Sequence, residues 1–109
     1  MTVLEDFGRL TNAIFLGGET RRSLSTETLD VIDPATEDKL GEIAETTEAE
    51  IDEAITIGHA AQKKWWAMSG LERSERMHEV ANRMHHMRPK LAEAMTREMG
   101  KPYKESADE

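Results

Sequence analysis

Hydrophobic and polar positions follow two rhythms along this chain, and the change falls near Thr46. In the front part the apolar runs are short and punctuated. Ala13-Ile14-Phe15-Leu16 ends at Gly17-Gly18 and is followed by Glu19-Thr20-Arg21-Arg22. A Gly-Gly step between two extended runs predicts a tight hairpin, because glycine accepts the positive φ such turns need. Thr28-Leu29-Asp30-Val31-Ile32 predicts another strand. Residues 33–38, beginning Asp33-Pro34, predict a turn in which Pro34 fixes one φ and Asp33 bonds the backbone. Lys39-Leu40-Gly41-Glu42-Ile43-Ala44 returns as the next strand.

From Thr47 the apolar spacing becomes helical. Thr47-Glu48-Ala49-Glu50 fits a capping box, and Ile51, Ala54, Ile55, Gly58, Ala61 and Trp65 recur at helical intervals. Ser69-Gly70-Leu71-Glu72 is a second capping box. Met77, Val80, Ala81, Met84 and Met87 form a stripe whose phase continues through Leu91, Ala94 and Met95. Pro89 falls inside it, and proline in a helix interior loses a hydrogen bond and clashes with the preceding turn. Two helices are therefore predicted, with Pro89 in the first turn of the second. Gly100 reads as a C-terminal cap, Pro102 stops simple continuation, and residues 103–109 start another helix-like run. The expectation is a single partial α+β domain over 1–109, with short antiparallel strands in 12–45 and three or four helices in 46–109. No closing element follows, which leads us to expect a truncated unit.

Composition sharpens this picture. Only 19 of 109 residues are Leu, Ile, Val or Phe, a level at which disorder becomes a live reading. Twelve Ala and seven Met, good helix formers, partly offset the deficit and predict a small, soft core. The net charge of −8 repels phosphate backbones and anionic membranes, so neither nucleic acid nor membrane is an expected partner. No apolar run approaches the length of a membrane span. Glu5 and Asp6 precede any cation near the start, the wrong order for a signal peptide, so a soluble cytoplasmic protein is expected. There is no cysteine, which removes disulfides, thiolate metal sites and thiol nucleophiles together.

Candidate chemistry is thin. His78, Asn82 and His86 lie four apart on one helical face with His85 beside them, but the zinc pattern of two His four apart with an intervening Glu is absent. His78 is separated from His85 and His86 by about 10–12 Å of helical rise, too far for one ion. The carboxylates Glu48, Glu50, Asp52, Glu72 and Glu75 sit in first turns of helices, where the helix dipole explains them without catalysis. No phosphate-binding glycine loop occurs. Trp65-Trp66 and the Met stripe read as packing surfaces. The residues thus assemble no catalytic group and no cofactor-binding motif.

Several segments together nevertheless resemble a known family. In order they are Phe15-Leu16-Gly17-Gly18-Glu19, Val31-Ile32-Asp33-Pro34-Ala35-Thr36, Ile43-Ala44-Glu45, the Thr47 helix with Ala60-Ala61 and Trp65, the Glu72-Arg73 helix, and Glu98-Met99-Gly100-Lys101-Pro102. The order and spacing resemble the amino-terminal part of the NAD(P)-dependent aldehyde dehydrogenase superfamily, and the ending is similar to its succinate-semialdehyde branch. The resemblance implies part of an α/β cofactor-binding domain. It also implies an enzyme that forms a thiohemiacetal on a cysteine, passes hydride to NAD or NADP and releases a carboxylic acid.

The motifs that hold the family's nucleophile, glutamate base and nucleotide contacts do not occur in this chain. The expectation is therefore an oligomeric oxidoreductase family whose present segment binds no cofactor and is inactive alone. Its expected partner is the remainder of such an enzyme. The alternative is a non-catalytic module that docks on a full-length dehydrogenase or self-associates through its Met-rich helices. Two positions depart from the family pattern, Asp33 where Asn is usual and Glu37 where Gly is usual. By the same resemblance, the carbonyl of Ile32 and the carboxylate of Glu98 are expected as two donors of a structural monovalent-cation site.

Overall fold

A computed structural model describes residues 11–109. The reading of residues 1–9 as unlike a signal peptide lies outside the described residues.

Strand β1 (Ala13–Leu16) pairs antiparallel with β2 (Glu19–Arg22), Ala13 opposite Arg22 and Leu16 opposite Glu19. The connection is the two-residue turn that the Gly-Gly step predicts, with φ of 65° at Gly17 and 90° at Gly18. Strand β3 (Thr28–Ile32) pairs antiparallel with β4 (Lys39–Ala44). Val31 faces Gly41 and Ile32 faces Lys39, so Leu40 is an extra residue in the ladder. Such a bulge re-aims a side chain. Leu40 is one of two buried apolar residues among the described residues.

The turn between β3 and β4 is closed by Asp33. Its amide donates to the Asp38 carbonyl at 2.9 Å, its carbonyl accepts from Glu37 at 2.8 Å, and its Oδ1 accepts from the Ala35 amide at 2.9 Å. Glu37 has φ 65°, a left-handed conformation that a side chain makes costly. Beside the turn, Lys39 Nζ meets Asp30 Oδ1 at 2.7 Å and also pairs with Glu42. Both contacts raise the Lys39 pKa above its ordinary value, the Asp30 bond foremost.

Helices α1 (Glu48–Ala67), α2 (Gly70–Met99) and α3 (Tyr103–Asp108) follow. Both predicted capping boxes form, at Thr47 with Glu50 and at Ser69 with Glu72. Gly100 closes α2 with φ 73°, its amide donating to the Thr96 carbonyl at 2.9 Å. The described residues are thus α+β, with two antiparallel hairpins ahead of the helices.

Pro89 corrects the sequence reading. The helix does not break there but runs unbroken from Gly70 to Met99 with Pro89 inside it. Interior proline costs a helix about 3 kcal/mol. Strong caps at both ends oppose that cost, and so does a local clamp to α3. Arg88, beside the proline, donates through Nε to the Ala107 carbonyl at 2.6 Å and through Nη2 to Asp108 Oδ1 at 3.1 Å. Residues 85–88 are exposed, so water reaches the carbonyl that lost its helical donor.

Helices α1 and α2 are joined by Met68 and Ser69 and do not pack along their lengths. Arg73 holds the joint, donating through Nη1 to the Met68 carbonyl at 2.6 Å and stacking 5.3 Å from the Trp66 ring centroid. Among the described residues the buried apolar side chains are Leu40 and Ala92 alone, while Asp33, Glu50 and Ser106 are buried polar groups. The radius of gyration is 16.7 Å. A compact chain of this length would have about 13 Å. The elements are well formed, but most of their apolar faces are uncovered.

Candidate functional site

The most constrained side chain is Glu50, 3% exposed at the start of α1. Its Oε2 accepts from the Thr47 amide at 3.0 Å, the Thr47 hydroxyl at 3.1 Å and the Ser23 hydroxyl at 2.8 Å. Its Oε1 accepts from the Leu24 amide at 2.8 Å. The Thr47 and Leu24 amides, in that order, with help from the hydroxyls, hold its pKa at about 2, against the usual 4.5. Hydrogen bonds to the charged form outweigh burial, so this carboxylate stays ionised and is unsuited to general acid–base work.

Glu50 is instead a fastener between the loop after β2 and the first turn of α1. One turn further on, Arg21 of β2 pairs with Glu53, whose Oε1 lies 3.2 Å from the guanidinium Nη1. Glu53 raises the Arg21 pKa. Gly17 lies over Ile57, where an added Cβ would stand 3.7 Å from Ile57 Cδ1. The β1–β2 hairpin is thereby seated along the first half of α1. Between them is a shallow apolar depression of about 140 Å³, lined by Ile14, Phe15, Leu16, Ile51 and Ala54 with Thr46 and Glu50 at its edge. Phe15 is 74% exposed at its mouth.

The sequence reading identified the capping role of Glu50 and missed the rest. Ser23, Leu24 and Arg21 are distant in sequence, and no spacing rule connects them to Glu50 and Glu53. The only available signal was the Ser-rich loop at 23–27, whose hydroxyls satisfy local backbone donors.

The end of α2 is the second junction. Gly100 stands against Pro34, so close that an added Cβ would lie 2.8 Å from Pro34 Cγ. This contact brings the segment holding Glu98 against the turn that follows Ile32. Glu98 is exposed and Ile32 is 41% exposed. Among the described residues no group of three or more His, Asp or Glu side chains could hold a metal ion. His78 and His86 bond their own helix instead, with Nδ1 2.8 Å from the Ser74 carbonyl and 2.7 Å from the Asn82 carbonyl.

Two apolar features read as packing surfaces are uncovered. Trp66 is 72% exposed, with the Arg73 guanidinium over its ring. The α2 stripe of Met77, Val80, Met84, Met87 and Leu91 is exposed throughout, Met84 at 56%. No described helix is long and apolar enough to cross a membrane.

Comparison with known proteins places these features in context. The model of the aldehyde dehydrogenase family matches residues 21–109. The chain is similar to an aldehyde dehydrogenase of Bacillus cereus solved with NAD+, at 29% identity and TM-score 0.86, over 97% of this chain and 22% of that one. It is similar to HpcC from Thermus thermophilus at 26% identity and TM-score 0.90, over 97% of this chain and 21% of that one. A putative methylmalonate-semialdehyde dehydrogenase from Sinorhizobium meliloti, complexed with NAD, matches at 26% identity and TM-score 0.81, over 86% of this chain and 19% of that one. The chain therefore spans about a fifth of the length of these solved proteins.

Proposed function

The chain belongs to the aldehyde dehydrogenase family, and from that premise we propose that it is the amino-terminal region of an NAD-dependent aldehyde dehydrogenase. In this reading it supplies scaffold to the cofactor-binding domain and none of the reacting groups. One observation carries the reading: a family match over residues 21–109 in a sequence with no cysteine. The family's thiohemiacetal chemistry needs a thiolate, and no residue here replaces it. The most perturbed carboxylate, Glu50, is consumed in a structural knot. NAD rather than NADP is favoured because the Bacillus cereus and Sinorhizobium meliloti proteins are solved with NAD.

Ile32 and Glu98 enter the proposal as two oxygen donors of a monovalent-cation site. A carbonyl and a carboxylate suit a hard cation, and the two segments meet at the Gly100–Pro34 contact. Two donors leave the shell incomplete, so the ion would be held by the assembled enzyme. A second reading, a docking module acting on a full-length dehydrogenase in the same cytoplasm, is favoured by the uncovered α2 stripe.

The test has two arms. The purified chain with NAD or NADP and a panel of aldehydes is expected to produce no reduced cofactor. Turnover that follows this polypeptide through purification would overturn its proposed inactivity. The reading frame after the Glu109 codon is expected to encode a cysteine-bearing dehydrogenase region. A stop codon there, together with co-purification of a longer dehydrogenase, would transfer support to the docking module.

A further inference from the structure

The corner where α1 gives way to α2 differs in charge and polarity from the rest of the chain. Residues 54–71 hold no Asp or Glu, the longest such run in a sequence with 22 acids. Lys63 and Lys64 lie in this run and are exposed. Their neighbours three and four residues away on α1 include no acid, so no intrahelical carboxylate neutralises them. Residues 63–76 carry Lys63, Lys64, Arg73 and Arg76 against Glu72 and Glu75, a local charge of +2 in a chain of −8. Beside the lysines, Leu71 is 70% exposed, nearly as much as Trp66. Tryptophan is usually well buried, so an open ring next to lysines is informative. Arg73, its guanidinium over that ring, is itself tied to the Met68 carbonyl, which holds the ring at the surface without burying it.

Tryptophan and lysine side by side suit a membrane–water interface. The ring sits at headgroup level, while the lysine stem lies along the apolar boundary and its ammonium stays in water. A net charge of −8 repels such a surface only where all the charges are felt, and the screening length at physiological ionic strength is about 8 Å. Glu53, the last acid before the corner, is separated from Trp66 by about 20 Å of helical rise. Past the corner, Glu72 is bonded to the Ser69 amide at 2.8 Å. A flat anionic surface meets the corner alone. A nucleic-acid backbone is a poorer occupant, because it extends past the corner toward the acids, and two lysines give it too few phosphate contacts.

We propose that the α1–α2 corner is a peripheral attachment site for an anionic lipid surface, with Trp66 and Leu71 entering the headgroup layer and Lys63 and Lys64 held by lipid phosphates and carboxylates. For this corner, the local charge replaces the expectation drawn from net charge that no membrane is a partner. The attachment is reversible, since two lysines, one ring and one leucine supply far less than a spanning helix.

Titration of the full chain with vesicles of phosphatidylcholine alone, and with vesicles containing about one-third phosphatidylserine, tests this by co-sedimentation and tryptophan fluorescence. In low salt the anionic vesicles are expected to bind about tenfold or more tightly and to shift the emission to the blue. The preference should collapse near 1 M salt, where the screening length is about 3 Å. Lys63→Glu with Lys64→Glu should abolish it at unchanged circular dichroism. If that pair alters helix content, Lys63→Gln with Lys64→Gln is read in the same way. Arg22→Glu with Lys104→Glu makes the same charge change on β2 and α3 and should retain most of the preference. Trp66→Ser should remove most of the blue shift and weaken binding several-fold. Equal binding to both vesicles, binding to neither, or a preference that survives loss of the lysine pair would overturn the proposal. So would equal loss in the β2–α3 pair, or tighter binding to a single-stranded oligonucleotide than to the anionic vesicles. Vesicle binding and the downstream reading frame are read independently, so failure of one leaves the other standing.

Discussion

The two ends of α2 are built from different residues and meet different surroundings. From residue 92 onward the helix is held on several sides. Ala92 is 1% exposed, Thr96 bonds the Ser106 hydroxyl at 3.1 Å, and Gly100 abuts Pro34. Over residues 74–91 every residue is exposed, and α3 reaches this stretch at Arg88. The held end uses Ala92, Ala94 and Gly100, small enough for another backbone to approach. The open end uses Met, Val and Leu. Small residues mark where the chain's own elements meet, and long flexible apolar residues mark a surface shaped for something else.

Substituting the two glycines at either end of α2 tests that contrast most strongly. Gly100→Ala adds a Cβ at positive φ and into Pro34, so a loss of about 2–3 kcal/mol is expected. Gly70→Ala meets nothing within 4 Å and should leave stability within about 0.5 kcal/mol. Urea unfolding of both variants checks this, and equal losses would show that the two ends are not differently held.

The next largest effect concerns the other junction. Glu50→Gln loses the charge that four donors converge on and places an amide NH2 among them. A fall in Tm of roughly 5–10 °C is expected. Because the folded pKa of Glu50 lies below its usual 4.5, its contribution is present in full above that pH and fades as pH falls toward about 2. The variant should therefore unfold with a flatter pH profile between those limits, as followed by circular dichroism.

A smaller change of opposite sign is expected at the β3–β4 turn. Glu37→Gly relieves a left-handed φ and should stabilise by about 0.5–1 kcal/mol, since the relief exceeds the added flexibility of the unfolded chain. The smallest belongs to the open end of α2. Met84→Gln should change unfolding by less than about 0.5 kcal/mol, because Gln has similar helix propensity and Met84 is exposed. A large loss at Met84 in denaturant titration would mean that the stripe is already buried in solution.

Features decided locally were legible in the sequence. The Gly17-Gly18 turn, both capping boxes and the Gly100 cap each depend on a few consecutive residues, and each forms as expected. Pro89 was misread because its local cost is offset by the caps and by Arg88 reaching 19 residues along the chain to Ala107. The Glu50 knot was half legible. Its cap partner is three residues away, whereas Ser23 and Leu24 reach it through the fold. Helical periodicity revealed which face of α2 is apolar, but it carries no information about what covers that face.

The two-residue joint between α1 and α2 has a geometric consequence. Both helices are founded on strands, α1 through Glu50 on the loop after β2 and α2 through Gly100 on the turn after β3, and they meet at Met68 and Ser69. They form an arch with two fixed feet, and its apex is located by helix length alone. Each residue adds about 1.5 Å of rise and about 100° of rotation. A single-residue insertion in the span of α2 between the apex and Ala92 would leave every hydrogen bond at the feet possible. It would still turn the apex end of α2 by about 100° against its foot, taking Arg73 away from Trp66 and the Met68 carbonyl. The arch tolerates changes of side chain along its span far better than a change in the number of its stones.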